Sequence, residues 1–257
     1  MSGHLNWIGY RTIVRKEITR ILRIWGQTVV PPAITMTLYF IVFGNLIGRR
    51  IGEMGGFDYM QFIVPGLVMM SVITSSYGNI VSSFFGAKFG RHIEELLISP
   101  LPNGVILAGY VTGALARGLM VGGVVILVSL FFTRLEVQHP LITISVLMLT
   151  AVVFAMAGMV NAIFAQKFDD IAIIPTFVLT PLTYLGGVFY SIGLLPEFWQ
   201  KVSAFNPILY MVNGFRFGIL GVSDVSIGRA YVIILVFALL LFATCMTLLN
   251  RGTGLRS

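Results

Sequence analysis

The sequence reads as an all-α membrane protein: six transmembrane helices, an amphipathic interfacial helix ahead of them, a short cytoplasmic helix after the second and re-entrant helices before the sixth. Three features carry this reading. The 17 Lys and Arg and the 10 Asp and Glu residues sit in short clusters. Between the clusters, residues 24–48, 59–87, 137–166, 171–196 and 230–250 hold no such charge, and each run reaches the roughly 20 residues that a spanning helix needs. Hydrophobic residues make up 57% of the chain and charged residues 11%, at a mean hydropathy of +0.92, whereas soluble domains carry about 25% charge.

Spans are expected at about residues 28–48, 61–85, 110–132, 141–165, 171–190 and 230–250, in one membrane domain covering 1–257. The third is interrupted by Arg117, whose long stem can reach headgroups from about one turn inside the interface. Its alternative is a buried functional charge. The first apolar run is about 25 residues and follows a basic helix, so no cleavable signal peptide is expected. Cys245, the only cysteine, lies in the last apolar run and is read as packing.

Six spans put both termini on one side. Arg11, Arg15, Lys16, Arg20, Arg23, Lys88, Arg91, Lys167, Arg251 and Arg256 then share that side, against Arg49, Arg50, Arg134, Lys201, Arg216 and Arg229 on the other. The positive-inside rule places the richer side in the cytoplasm, giving an inner (plasma) membrane protein with cytoplasmic termini. The net charge of +7 is accounted for by basic clusters meeting anionic membrane lipid, and no motif points to nucleic acid.

Residues 7–25 form a membrane-surface helix. Trp7, Tyr10, Val14, Ile18, Ile21 and Trp25 fall in one arc, with Lys16, Arg20 and Arg23 opposite and Arg11 and Arg15 adding to the basic character. The cytoplasmic segment 88–98 has Phe89, Ile93 and Leu96 on one helical face with Leu97 at its margin. Lys88, Arg91, Glu94 and Glu95 take the other face, beside His92, and Pro100 and Pro102 end the helix. An apolar face beyond the membrane calls for a groove in a partner.

Ser71, Ser75, Asn79 and Ser82 recur at helical spacing in the second span. Such a stripe lines a polar route or packs helices, as the Gly pairs 44/48, 109/113 and 118/122 do. Pro31-Pro32, Pro175 and Pro181 bend or unwind their spans. Segment 194–221 is rich in aromatics yet broken by Pro196 and Asn206-Pro207, so it reads as re-entrant helices or an interfacial aromatic belt. His4, His92 and His139 are scattered and Asp169-Asp170 has no His or Cys companion, so neither a metal site nor an enzyme is expected.

Two motifs then carry a resemblance. Glu94-Glu95-Leu96-Leu97-Ile98-Ser99-Pro100-Leu101 follows the second span. Gly186-Gly187-Val188-Phe189-Tyr190, Leu195-Pro196, Phe205-Asn206-Pro207-Ile208-Leu209-Tyr210 and Arg216 follow the fifth. Together they resemble the type-2 ABC-transporter integral membrane permeases. The resemblance implies a permease subunit of an ATP-binding-cassette exporter, moving an amphipathic, lipid-linked, polysaccharide or drug-like substrate. It implies two permease copies and two copies of a separate ATPase, on which ATP and Mg reside. Lys88 to Leu97 would make the coupling helix, and Phe205, Asn206, Pro207 and Tyr210 the outer gate. The chain contains no G-x-x-x-x-G-K-[ST] loop, so no nucleotide cofactor is expected on it. The rival classes are a secondary transporter or channel uncoupled from ATP, opposed by the lack of acidic residues within the spans, and an intramembrane enzyme.

Overall fold

A computed structural model describes residues 2–254, except the side chains of Ser2, Asn45 and Leu97. Arg256, counted in the charge balance, lies outside the described residues. Helix α1 (Ser2–Arg23) is followed by α2 (Trp25–Tyr39), a π-helical stretch over Phe40–Ile47 and α3 (Gly48–Ile51). A small hairpin, β1 (Glu53–Met54) and β2 (Phe57–Asp58), comes next. Its turn residues Gly55 and Gly56 have φ of 63° and 80°, the left-handed pair that a tight hairpin turn requires. Asp58 then caps α4 (Tyr59–Phe89), accepting from Met60 N at 3.3 Å.

Helices α5 (His92–Ile98), α6 (Asn103–Ser129) and α7 (Pro140–Phe164) follow. After them come α8 (Asp170–Ile174), a π-helical stretch over Pro175–Leu179, α9 (Thr180–Tyr184), α10 (Glu197–Ala204), α11 (Pro207–Leu220) and α12 (Ile227–Arg251).

Among the described residues, five helical stretches are long and apolar enough to cross a bilayer: Trp25–Ile51, Tyr59–Phe89, Asn103–Ser129, Pro140–Phe164 and Ile227–Arg251. The third begins at Asn103, earlier than expected, because Pro102 supplies a favourable extended entry and nothing polar interrupts the next turns. Where a span over 171–190 is expected, the helical path runs from Asp170 to Tyr184, 15 residues, or about 22 Å. Pro175 and Pro181 each lack the N–H that an α-helical turn needs, and the chain widens there. The Thr180 hydroxyl closes the wide turn on the Pro175 carbonyl at 2.9 Å.

Helix α4 sits at the centre, packed by α6, α7 and α11. Glycines let the backbones approach. A Cβ on Gly122 of α6 would lie 2.7 Å from Val72, and one on Gly158 of α7 would lie 2.7 Å from the Tyr77 carbonyl. Gly118 meets Ser76 in the same way, and Gly44 faces the Met60 side chain. Gly109 and Gly113 open a groove on α6 for α1, where added Cβ atoms would come within 2.6 Å of Ile13 and 2.5 Å of Glu17. Helices α2 and α12 bury few of their side chains, leaving apolar surface for lipid.

Gly158→Ala should therefore lower the stability of the detergent-solubilised protein by about 1–3 kcal/mol, because the methyl meets α4 backbone. Gly123→Ala, with nothing within 4 Å, should be neutral or slightly stabilising through helix propensity. Thermal unfolding of the two variants side by side checks the pair.

Candidate functional site

At one end of the body, α4 reverses into α5 through Gly90 and Arg91. Arg91 has φ of 60°, a left-handed conformation uncommon for a side-chain-bearing residue. The reversal turns Ile93 into the protein's own core, together with Phe84, Phe85 and Ile106, and Leu96 packs beside them. The apolar face expected to enter a partner's groove is thus partly occupied by this chain. The reason is proximity: the protruding ends of α4 and α6 offer an apolar seat within one helical turn. The face left outward carries Arg91, His92, Glu94, Glu95 and Ile98, all exposed. The side chain of Leu97 lies outside the described residues.

Two further contacts bind this end together. The Lys88 ammonium donates to the Ile163 and Ala165 carbonyls at 2.6 and 2.7 Å, capping the end of α7 as a cation should. Phe89 packs edge-on against Phe168 at 4.9 Å between centroids, and both meet Phe85. Phe89 and Phe168 remain 61% and 58% exposed. Asp170 accepts from the Gln166 and Lys167 amides at 2.8 and 2.9 Å, which hold its carboxyl below the usual carboxylate value and shape the loop carrying Phe168. Sequence reading did not single out Phe168; an aromatic in a five-residue polar connection between apolar runs was the available signal.

Helix α1 presents three faces. Ile13, Glu17 and Ile21 are buried, and Tyr10 bonds Thr112 of α6 at 3.0 Å. Trp7, Ile18 and Trp25 are exposed, as are Arg11, Arg15, Lys16 and Arg23. The face turned inward runs through Ile13 and Glu17 and takes Tyr10 and Ile21 from one edge of the aromatic arc, while Trp7 and Ile18 stay outside, because this face meets the glycine groove of α6. Glu17, 0% exposed, is the residue the sequence reading missed. It accepts from Ser83 at 2.5 Å and Arg20 at 3.0 Å, while Arg20 also donates to Asn79 Oδ1 at 2.7 Å.

The expected stripe on α4 divides accordingly. Asn79 belongs to the Glu17 network, and Ser71 is buried with its hydroxyl on the Leu67 carbonyl. Ser75 is half-buried and Ser82 exposed. Thr74, Ser82 and Gly86 are exposed and Gly78 half-buried between them, one turn apart along α4. This is a small, polar strip on a helix otherwise enclosed. Arg117 is half-buried on α6, and its Nε has no partner among the described residues.

At the opposite end, Asn206 caps α11 by accepting from Ile208 N at 3.0 Å and donates to the Leu182 carbonyl at 2.5 Å. Pro207 occupies the first turn. Tyr210 is buried, its hydroxyl donating to the Ala204 carbonyl at 2.8 Å. Phe205, in contrast, is 88% exposed. Of the four residues expected at a gate, Asn206 and Tyr210 tie α11 to α9 and α10, Pro207 sits in the first turn of α11, and Phe205 projects.

Arg216, counted among the outer-side charges and within the re-entrant segment, is 1% exposed inside the body. Its guanidinium lies 4.0 Å over the Phe62 ring and donates to the Gly187 carbonyl at 2.6 Å. Helix α11, buried along most of its length with Gly214 and Gly218 against α7, carries it there; carbonyls take up Nε and Nη2, while Nη1 has no partner among the described residues.

These features define a polytopic all-α membrane permease. The chain belongs to the ABC-2 type transporter family, matched over residues 9–220. It is similar to "Inner membrane transport permease YadH" of Escherichia coli (strain K12), 59% identical over 254 residues and 99% of both chains. It is also similar to "Nodulation protein J" of Rhizobium leguminosarum bv. viciae, 23% identical over 97% of this chain and 96% of the other, and of Sinorhizobium fredii, 25% identical over 96% and 93%.

Tyr210→Ala is expected to lower the stability of the purified permease by about 3–5 kcal/mol through the lost buried ring. Phe205→Ala, which removes a projecting side chain, should leave it within about 0.5 kcal/mol. Detergent-resistant thermal unfolding checks both.

Proposed function

We propose that this chain is the transmembrane subunit of an ATP-driven exporter, paired with a second copy of itself and with two copies of a separate ATPase that binds ATP and Mg. The observation that carries the reading is the docking face at the α5 end: exposed Phe89, Ile98 and Phe168 beside Glu94 and Glu95. Large apolar side chains with a charged margin are the anatomy of a protein contact. Through Lys88 and the Phe85–Phe89–Phe168 cluster, this face is fastened to α4 and α7. Closure of the ATPases on nucleotide would move α5, and α4 with it, shifting the population between inward and outward exposure.

In this reading the chain crosses the bilayer six times, residues 171–190 forming the fifth crossing, with both termini and α5 in the cytoplasm. The strip Thr74, Gly78, Ser82 and Gly86 faces the second copy and lines the pathway. Residues 194–221 sit at the outer leaflet with Phe205 at the exit. The substrate is amphipathic, lipid-linked, polysaccharide or drug-like and leaves from the cytoplasm or the inner leaflet. The relative named as an inner membrane transport permease supports placement and transport alike, and the family supports an ATPase partner.

Orientation is tested by Glu95→Cys in a Cys245→Ser background. An impermeant thiol reagent should leave it unlabelled in intact cells and label it in inverted vesicles; labelling from outside refutes the topology. The coupling reading is tested by Glu94→Arg combined with Ile98→Asp. The folded permease should be recovered in normal amount, while stimulation of the co-purified ATPase falls at least about tenfold, the effect of losing a contact worth some 1.4 kcal/mol or more. Undiminished stimulation, or transport that continues with no ATPase present, would remove the exporter reading in favour of an uncoupled transporter.

A further inference from the structure

The basic side of α1 borders a cleft of about 490 Å³ lined by Thr12, Arg15, Lys16, Thr19, Arg20, Arg23 and Ile24. Four cations thus border one open hollow on the outward face of α1. Among the described residues the only ion pair is Arg20 with Glu17, and that carboxylate is buried on the far side of the helix and shared with Ser83. Arg15, Lys16 and Arg23 therefore face the cleft without a countercharge. Arg117, one helical turn beyond Gly113 on the α6 face that receives α1, adds a further cation on this side. The Nε atoms of Arg20 and Arg117 are buried without partners.

At a membrane surface such a group attracts anions. Guanidinium and ammonium donors beside hydroxyls match the oxygens of a phosphate. The rest of α1 indicates where that phosphate resides. Trp7, Ile18 and Trp25 form the exposed apolar side, which in a bilayer lies at the acyl boundary. Ile24 closes the cleft where the chain enters its first apolar helix.

We propose that this cleft is a binding site for a phosphate group, carried by the headgroup of an anionic phospholipid in the leaflet that α1 lies on. Arg15, Lys16 and Arg23 hold the headgroup, while Arg20, fixed by Glu17 and Asn79, forms the floor. Occupancy stabilises the seat of α1 on α4 and α6, because the bound anion neutralises cations packed beside that seat.

The test uses the full-length permease in nanodiscs of equimolar phosphatidylglycerol and phosphatidylcholine, released into a mass spectrometer to count retained lipids. Three proteins are compared: wild type, Arg15→Gln/Lys16→Gln/Arg23→Gln, and a control with the same charge loss elsewhere, Arg11→Gln/Arg49→Gln/Arg50→Gln. Each cation near the surface is worth roughly fivefold in anionic-lipid binding. The cleft variant should lose phosphatidylglycerol preference at least about tenfold more than the control does. In a second arm, inorganic phosphate is added in detergent and thermal unfolding is followed. Stabilisation of wild type and not of the cleft variant, without lipid preference, supports the site and assigns it to soluble phosphate. Equal loss in the control, meaning a diffuse field, overturns the proposal; so does the absence of both lipid preference and phosphate stabilisation. None of these readouts involves an ATPase or transport, so failure here leaves the exporter reading untouched, and failure of that reading leaves this site standing.

Discussion

The arrangement depends on the enclosure of α4. A spanning helix gains little from apolar burial when lipid is the alternative, so contact between helices must come from close, matched surfaces. Glycines on α6 and α7 provide them, bringing Val72, Ser76 and the Tyr77 carbonyl into backbone range. At the other end Gly66 admits the Val188 carbonyl, which a Cβ would meet at 2.5 Å. With α4 held on these sides, its remaining strip, Thr74 to Gly86, is the one direction left open. Enclosure thus fixes both the rigidity of the helix and the location of its free polar face.

Two buried charges lock the ends of that framework. At the α5 end, Glu17 is satisfied by Ser83 and Arg20, which couples α1 to α4 across the glycine groove of α6. At the other end, Arg216 lies against Phe62 and the carbonyls after α9, coupling α11 to α4. Isolated charges in such surroundings would be expensive; here Glu17 is met by Arg20 of its own helix and Ser83 of α4, and Arg216 by backbone carbonyls and the Phe62 ring. Removing either would disturb contacts between elements, since Glu17 joins α1 to α4 and Arg216 joins α11 to α4 and to the segment after α9.

Long charge-free runs made most of the helices legible, since length and hydropathy alone distinguish a crossing helix. The three Gly pairs and the break at Asn206-Pro207 were legible for similar reasons: their local chemistry admits few alternatives. The inward face of α1 was not. Its aromatic arc is the more hydrophobic, but lipid satisfies hydrophobic side chains as well as protein does, so the fit of Ile13 and Glu17 to α6 decided the orientation. The same ambiguity hid the docking of Ile93, whose apolar periodicity fits a partner's groove and its own core equally. Glu17 and Arg216 looked like surface charges because burial is set by partners remote in sequence, Ser83 and Gly187 among them. Phe168 acquires meaning only once the fold places it against Phe89.

These constraints give the two ends different mechanical characters. At the α5 end, the connections are few and directional: one ammonium on two carbonyls, three aromatic rings and a short helix seated by Ile93. These contacts join α5 and the loop carrying Phe168 to the end of α4. At the opposite end, α11 is buried along most of its length and bound through Asn206, Tyr210 and Arg216, so displacement there requires several contacts to shift together. The least regular backbone lies in the π-helical stretches at Phe40–Ile47 and Pro175–Leu179, where wide turns interrupt the α-helical hydrogen-bond pattern. Tyr39, just before the first stretch, and Tyr184, at the end of α9, share a hydroxyl contact at 3.1 Å, so the helices flanking the two irregular segments are joined directly.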